Sequence, residues 1–211
     1  MNKILAIYST TVSLSIISGF GLYMTLANAN EITKSNIPLA NNKVENQQDN
    51  ASYQQIAKEK MAQFGKQLKS ALLDAIATGG FENAVEVCQN EAPKIAAELS
   101  TDGWQLSRTS LKTRNPLNLP NEWQKPVLLE FEQQAQNGKP IDKLVFSDTV
   151  NGQFRMMKAI PTGQLCIACH GTNISPELSN KINQHYPQDT AINFSLKDIR
   201  GAFSVTAPIG Q

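Results

Sequence analysis

"KLVFSDTVNGQFRMMKAIP", residues 143–161, consists of two runs of β-branched and large apolar residues on either side of Asn151-Gly152. An Asn-Gly pair favours a two-residue turn in which both residues adopt left-handed backbone dihedral angles. Strands joined by so short a turn pair antiparallel, because a parallel pair needs a much longer crossover. The stretch therefore predicts a β-hairpin, and with it an antiparallel sheet.

Two helices are predicted upstream of this hairpin. In residues 52–80, apolar residues recur at spacings of three and four, which is typical of an amphipathic helix. Gly79-Gly80 is expected to end it, because glycine commonly follows a helix end. A second apolar stripe, in residues 81–100, carries Cys88 in its middle. Pro93 is expected to kink or restart that second helix, since proline cannot donate a backbone hydrogen bond.

The remaining sequence predicts shorter elements. Residues 104–118 alternate in a way that favours β structure, and the final stretch 201–209 is a further predicted strand. Helices are expected over 121–136 and 176–186. Helices lead and strands follow without the regular alternation of a doubly wound sheet. The predicted fold class is therefore α+β, with an antiparallel sheet and helices to one side.

Residues 1–29 have the features of a secretory signal peptide: an early lysine, an apolar stretch and the exit sequence Ala27-Asn28-Ala29. Cleavage after Ala29 is expected. The apolar stretch 4–27 approaches the roughly 20 residues that span a bilayer, so an uncleaved membrane anchor is the alternative. In either case we expect an exported protein, located in a periplasm or a thylakoid lumen.

Beyond the signal segment, the polar composition of residues 30–51 indicates a flexible linker, and residues 52–211 are assigned to one folded domain. The formal net charge is +1, and charges of both signs are mixed along the chain. No nucleic-acid partner is expected from such a balance. Contact with a membrane is expected only if the signal segment is retained.

The motif Cys166-Ile167-Ala168-Cys169-His170 lies in "GQLCIACHGT", residues 163–172. The thiols of a C-x-x-C-H unit add to the two vinyl groups of haem, and the adjacent histidine ligates the iron. Structural zinc is a second interpretation, with His185 as a fourth ligand, but the chain lacks a second ligand pair of the usual spacing. A thioredoxin-like dithiol is a third, although its β-α-β setting is lacking. Haem attachment is the interpretation that we favour.

Two further stretches accompany "CIACHG": "SRTSLKTRNPLNLPNEWQ" at 107–124 and "DIRGAFSVTAPI" at 198–209. With a cysteine in a preceding helix, the chain resembles a family of exported single-haem c-type proteins with a PAS-like domain. This family is known from cyanobacteria and other bacteria and has no established reaction. The resemblance extends from about residue 53 to the end. It implies a PAS-like antiparallel sheet preceded by long N-terminal helices.

The resemblance also implies a ligand set. One haem c would be attached covalently through Cys166 and Cys169, with His170 and Cys88 as axial iron ligands. From its own sequence context, Cys88 is an odd thiol in an oxidising compartment, and it is alternatively a small buried apolar residue or half of an intermolecular disulfide. The competing candidates for the sixth ligand are His185, Met156 and Met157.

Arg108 and Arg114 lie in the first of the two stretches and are candidate cofactor-binding residues. A guanidinium group forms two charge-assisted hydrogen bonds to a carboxylate, such as a haem propionate. The alternative is that both arginines are surface residues or structural partners of Asp or Glu.

The function implied is a redox or gas sensor that signals through an unknown protein partner. Release of Cys88 on reduction would be its switch. A single-haem electron carrier is the alternative. A haem enzyme ranks last, because catalysis needs an open iron position and a distal acid–base group, for which His185 is the sole obvious candidate. A homodimer formed through the N-terminal helices is a further expectation.

Overall fold

The computed structural model describes the backbone of residues 41–210 and the side chains of residues 50–210. The signal segment and the first part of the predicted linker lie outside this range. Helix α1 spans Asn41–Leu99 and so begins inside the segment 30–51 assigned to the linker. Residues 41–51 contain neither glycine nor proline to stop a helix, and this part of the linker is helical instead.

A break divides α1 into two arms. Gly79 and Gly80 have non-helical dihedral angles, and Gly80 has a φ of 73°, which is accessible to glycine because it has no Cβ. We call the part of α1 before the break the first arm and residues 81–99 the second arm. The predicted helix end at Gly79-Gly80 is confirmed. Pro93 lies inside the second arm, and the non-helical dihedral angles of α1 are at Gly79 and Gly80, so the expected restart at Pro93 is wrong.

Four strands form one antiparallel sheet in the order β1-β4-β3-β2. Their bounds are β1 Gln105–Thr109, β2 Val145–Val150, β3 Gln153–Pro161 and β4 Ile199–Pro208. The predicted hairpin is confirmed, because β2 pairs with β3 and the φ values at Asn151 and Gly152 are 53° and 72°. The predicted α+β fold class is confirmed as well.

The shorter helices connect and cover the strands. They are α2 Gln124–Gln136, α3 Gln164–His170 and α4 Pro176–His185, with 3-10 turns at Pro116–Asn118 and Ile141–Lys143. The predicted helices over 121–136 and 176–186 correspond to α2 and α4, whereas α3 has no counterpart among the sequence predictions. Within residues 41–210, no helix combines the length and the apolar character that crossing a membrane requires.

Apolar side chains cover both faces of the sheet. Phe154 and Met156 of β3 pack in one cluster with Met61 and Phe64 of α1. Met157 of β3 points to the other face and packs in a second cluster, with residues of α2. The expectation of helices on one side only is therefore wrong. β3 is apolar on both faces, and each face needs a helix to exclude water.

Helix α4 lies against the second arm of α1. Val85 of this arm clusters with Leu178, Ile182 and Tyr186. Lys181 donates to Glu86 across the same contact, with Nζ and Oε1 2.7 Å apart. The second arm is therefore fixed in place by its contacts with α4.

Candidate cofactor-binding site

A cavity of about 620 Å³ lies between the two arms of α1, helix α3 and the ends of β1, β3 and β4. This volume is within the range of cofactor pockets in proteins. The first arm contributes Phe64, Leu68 and Leu72 to its wall, and the second arm contributes Val85. Every site residue predicted from the sequence lines this cavity: Cys88, Arg108, Arg114, Cys166, Cys169 and His170.

Helix α3 presents the C-x-x-C-H motif to the cavity. Cys166 and Cys169 are three residues apart, so their side chains lie on the same side of the helix. Both are half-buried free thiols. Burial raises the pKa of the Cys169 thiol to about 11. Gly171 follows the motif, where a Cβ would collide with the carbonyl of Ile167, so this position favours glycine.

His170 is held in one orientation by the loop that precedes β4. Its Nδ1 lies 2.7 Å from the carbonyl oxygen of Ala191, an acceptor, so Nδ1 carries the proton and Nε2 keeps its lone pair. Burial lowers the pKa of His170 well below its usual range, and the positive charges of Arg200 and Arg114 lower it further. A neutral imidazole with an oriented Nε2 is the form that ligates a metal.

Cys88 reaches the same cavity from the second arm of α1. Ala84 and Val85, one helical turn earlier, line the wall beside it. The cavity thus has the thiol of Cys88 on one element and the imidazole of His170 on another. Sulfur and imidazole nitrogen are both established haem iron ligands.

The competing sixth ligands lie elsewhere. Met156 and Met157 are fully buried in the two sheet clusters and do not line the cavity. His185 also lies outside the lining, with its Nδ1 2.6 Å from Oε1 of Gln89. No group of three or more His, Cys, Asp or Glu side chains within residues 50–210 is arranged to hold one metal ion. The zinc interpretation with His185 is thus without a matching ligand cluster in this range.

Arg114 forms a buried ion pair with Asp189. Its Nε and Nη2 each lie 3.0 Å from Oδ2 of Asp189, and both side chains are buried, with 8% and 4% exposed. Nη2 also donates to the carbonyl oxygen of Cys169 at 2.6 Å. Arg114 therefore positions the end of α3 against the loop that holds His170. Its charge is already neutralised by Asp189.

Arg108 is placed differently. Its guanidinium stacks over the ring of Phe64, with Cζ 5.2 Å from the ring centroid. Burial lowers its pKa, because the charged form loses hydration. No carboxylate within residues 50–210 forms an ion pair with it.

Arg200 is a lining residue that the sequence analysis does not single out. Its Nη2 lies 3.3 Å from Nε2 of His170, and its guanidinium stacks on Phe194 with Cζ 5.0 Å from the ring centroid. Burial, followed by the charges of Arg114 and Arg108, lowers its pKa to about 10. Strand alternation assigns Arg200 to the opposite face of the sheet, because it takes no account of the register shift between β3 and β4 at this position.

The site is a cavity lined by cysteines and arginines, and it lies between a two-armed helix and a four-stranded antiparallel sheet. This combination defines the class of protein. The chain belongs to the Tll0287-like family, whose model matches residues 26–208. It is similar to the crystal structure of the cyanobacterial heme-protein Tll0287, with a TM-score of 0.54 and 27% sequence identity, over 72% of this chain and 95% of that chain. No curated protein matches the chain. The family resemblance indicated by the motifs is thus confirmed.

Proposed function

We propose that this chain is a haem protein with one haem c, attached through Cys166 and Cys169 and ligated by His170. One observation carries the proposal: α3 brings both thiols of the motif and the acceptor nitrogen of a neutral imidazole to a single cofactor-sized cavity. The family relationship to a heme-protein supports it. When bound, haem supplies an iron centre that alternates between ferric and ferrous states.

The cavity suits this group in shape and in chemistry. Apolar side chains from both arms of α1, among them Phe64, Leu72 and Val85, suit a planar apolar ring. The charged residues in the lining are all basic, namely Lys69, Arg108, Arg114 and Arg200. Haem carries two carboxylates, so a basic lining complements it.

Cys88 is proposed as the second protein residue that would ligate the haem iron. It lines the cavity, whereas Met156, Met157 and His185 do not. Its helix is fixed by α4 through the contacts of Val85 and Glu86, which holds the thiol at the wall. A thiolate ligand donates electron density to iron and favours the ferric state, so a low reduction potential is expected.

The role that follows is redox sensing or signalling through a protein partner. Cys88 lies on the second arm, which follows the Gly79-Gly80 break, so its ligation state is able to bias the position of that arm. Electron transfer is the second candidate, supported by the loop beside the cavity. There Leu117 and Leu119 are 90% and 59% exposed next to the lining residue Asn118, and these two apolar side chains offer a contact to a docking partner.

One measurement distinguishes a sensor from an electron carrier. Amide hydrogen exchange of the second arm is compared between the ferric and the ferrous protein. A sensor is expected to lose protection in this arm on reduction, with the first arm as internal reference. Identical protection in the two states would instead favour the electron carrier, which keeps both ligands.

Export to a periplasm or a thylakoid lumen is part of the proposal. Covalent haem attachment takes place outside the cytoplasm, and residues 1–29 have the features of a signal peptide. The carrier or sensor would meet its protein partner in that compartment.

Haem attachment is tested by intact mass and a haem stain after denaturation. The full chain is produced in cells that mature c-type cytochromes. The wild type is expected to show the added mass of one haem. The double variant Cys166→Ala, Cys169→Ala is expected to lack this added mass. Cys88→Ala is the matched control and is expected to retain the haem. Loss of the haem from the wild type on denaturation would refute covalent attachment.

A further inference from the structure

The charge of the cavity lining is not balanced by the protein. Lys69, Arg108, Arg114 and Arg200 line the cavity, and the lining includes no Asp or Glu. Arg114 is paired with Asp189, but neither Arg108 nor Arg200 forms an ion pair with a carboxylate within residues 50–210. Guanidinium groups that are largely shielded from water are costly without an anionic partner. The two unpaired arginines therefore indicate an anionic ligand.

A β-bulge places Arg200 in this cavity. Gly201 pairs with Ile160, but Ile199 pairs with Pro161, so Arg200 is an extra residue in β4. Ala202 and Ile199 pack on the α2 side of the sheet. Strict alternation from Ala202 would direct Arg200 to that side as well, whereas the bulge directs it to the cavity.

Gly201 makes the bulge possible. Its φ is +150°, and a Cβ at this position would collide with the backbone oxygen of Thr109. Only glycine fits so close an approach of β4 to β1. Arg108 on β1 pairs with Phe203 on β4, so the bulge brings Arg200 to the same end of the same strand pair as Arg108. The positive charge of Arg108 contributes to lowering the pKa of Arg200, which is consistent with this proximity.

We infer that Arg200 and Arg108 form a carboxylate-binding pair that receives the two acidic side groups of the macrocycle, an inference that rests on the proposed haem function. Each guanidinium offers the planar fork that binds a carboxylate through two hydrogen bonds. Arg114 is not part of this pair, because Asp189 balances its charge and its Nε and Nη2 already bond to Asp189 and to the carbonyl of Cys169.

Arg200 also contacts His170, and this contact competes with ligation of iron by His170. Nη2 of Arg200 lies 3.3 Å from Nε2, the nitrogen through which His170 would ligate iron. One lone pair cannot serve both partners, so ligation by His170 and this hydrogen bond exclude each other. Arg200 is therefore free to donate to a carboxylate whenever His170 ligates iron.

The test uses the full-length protein with its covalent haem, and the reduction potential is the readout. Arg200→Gln is compared with Arg155→Gln, a matched control. Arg155 lies on β3, outside the cavity lining, and stacks on Trp123 with Cζ 5.4 Å from the ring centroid. Haem content is measured first in every variant. The potential is then measured as a function of pH.

The R200Q variant is expected to have a lower potential than the wild type at pH 7, because an uncompensated carboxylate stabilises ferric iron. Its potential is also expected to rise between about pH 7 and pH 5, since a carboxylate without its arginine protonates in that range. The wild type and R155Q are expected to lack this added rise. A profile of R200Q that matches R155Q would overturn the inference and leave the proposed function intact.

Arg200→Lys and Arg108→Gln keep the inference testable if R200Q does not mature. R200K retains the charge without the fork, so it is expected to show a smaller rise on acidification than R200Q would, but one larger than in the wild type. R108Q is expected to lower the potential as R200Q does. Wild-type behaviour of both variants would overturn the inference. A wild-type protein without covalent haem would refute the proposed function, and the inference with it.

Discussion

Gln89 and His185 join the helix of Cys88 to helix α4, with Oε1 of Gln89 2.6 Å from Nδ1 of His185. Gln89 directly follows Cys88 in the chain, and Glu86, two residues before Cys88, is paired with Lys181 of the same helix. α4 therefore holds the second arm both before and after Cys88 in the chain. His185, a candidate iron ligand from the sequence, instead supports the helix that carries Cys88, the ligand in our proposal.

Gln89→Ala is expected to loosen the second arm. Losing one partly buried hydrogen bond should lower the free energy of unfolding by about 1 kcal/mol. It should also accelerate amide exchange in residues 81–99, because the arm loses a contact to α4. Gln55→Ala is the matched control, since Gln55 makes an exposed hydrogen bond to Glu59 within the first arm. Equal exchange in the second arm of both variants would show that Gln89 does not hold it.

Asp189 supports the site through two neighbours. Its carboxylate pairs with buried Arg114, and its Oδ1 accepts a hydrogen bond from the backbone N–H of Ala191, whose carbonyl orients His170. Asp189→Asn would leave the buried guanidinium without a countercharge. We expect it to lower the free energy of unfolding by about 3 kcal/mol in urea denaturation.

The control for this substitution is Glu91→Gln, which removes a carboxylate from the exposed pair with Lys94. Exposed ion pairs contribute little, so its effect is expected to stay below about 1 kcal/mol. An effect of D189N as small as that of E91Q would contradict a structural role for the Arg114–Asp189 pair.

Gly201→Ala is expected to destabilise the fold by more than about 2 kcal/mol, because it combines a strained φ with a collision against the Thr109 backbone. Gly163→Ala is the control. Gly163 lies next to α3 with a φ of −96°, and no atom lies within 4 Å of the position of an added Cβ. Urea unfolding should separate the two variants clearly. Similar midpoints would mean that the bulge adjusts to a side chain at 201.

Local sequence signals predict the elements of this fold well. The hairpin follows from Asn151-Gly152, the helix break from Gly79-Gly80, and the apolar stripe around Cys88 from its spacing. The motif also identifies Cys166, Cys169 and His170, all of which line the cavity. Each of these features depends on residues that are close in the chain.

Features that depend on tertiary contacts escape such analysis. Arg114 is paired with Asp189, which lies 75 residues away in the chain. The residues around Arg114 therefore do not indicate whether its guanidinium binds a cofactor or a structural carboxylate. Arg200 lines the cavity because of a register shift between β3 and β4. Strand alternation alone assigns Arg200 to the wrong face. The covering of both sheet faces likewise depends on where α2 packs.

Ligation by Cys88 is the central claim, and electron paramagnetic resonance of the ferric protein tests it most directly. The wild type is expected to give a low-spin signal with the narrow spread typical of thiolate ligation. Cys88→Ala should abolish that signal while keeping the covalent haem, and Met156→Leu, a substitution in the core away from the cavity, should preserve it. A wild-type signal with a wide spread, or a narrow signal that survives Cys88→Ala, would contradict the account.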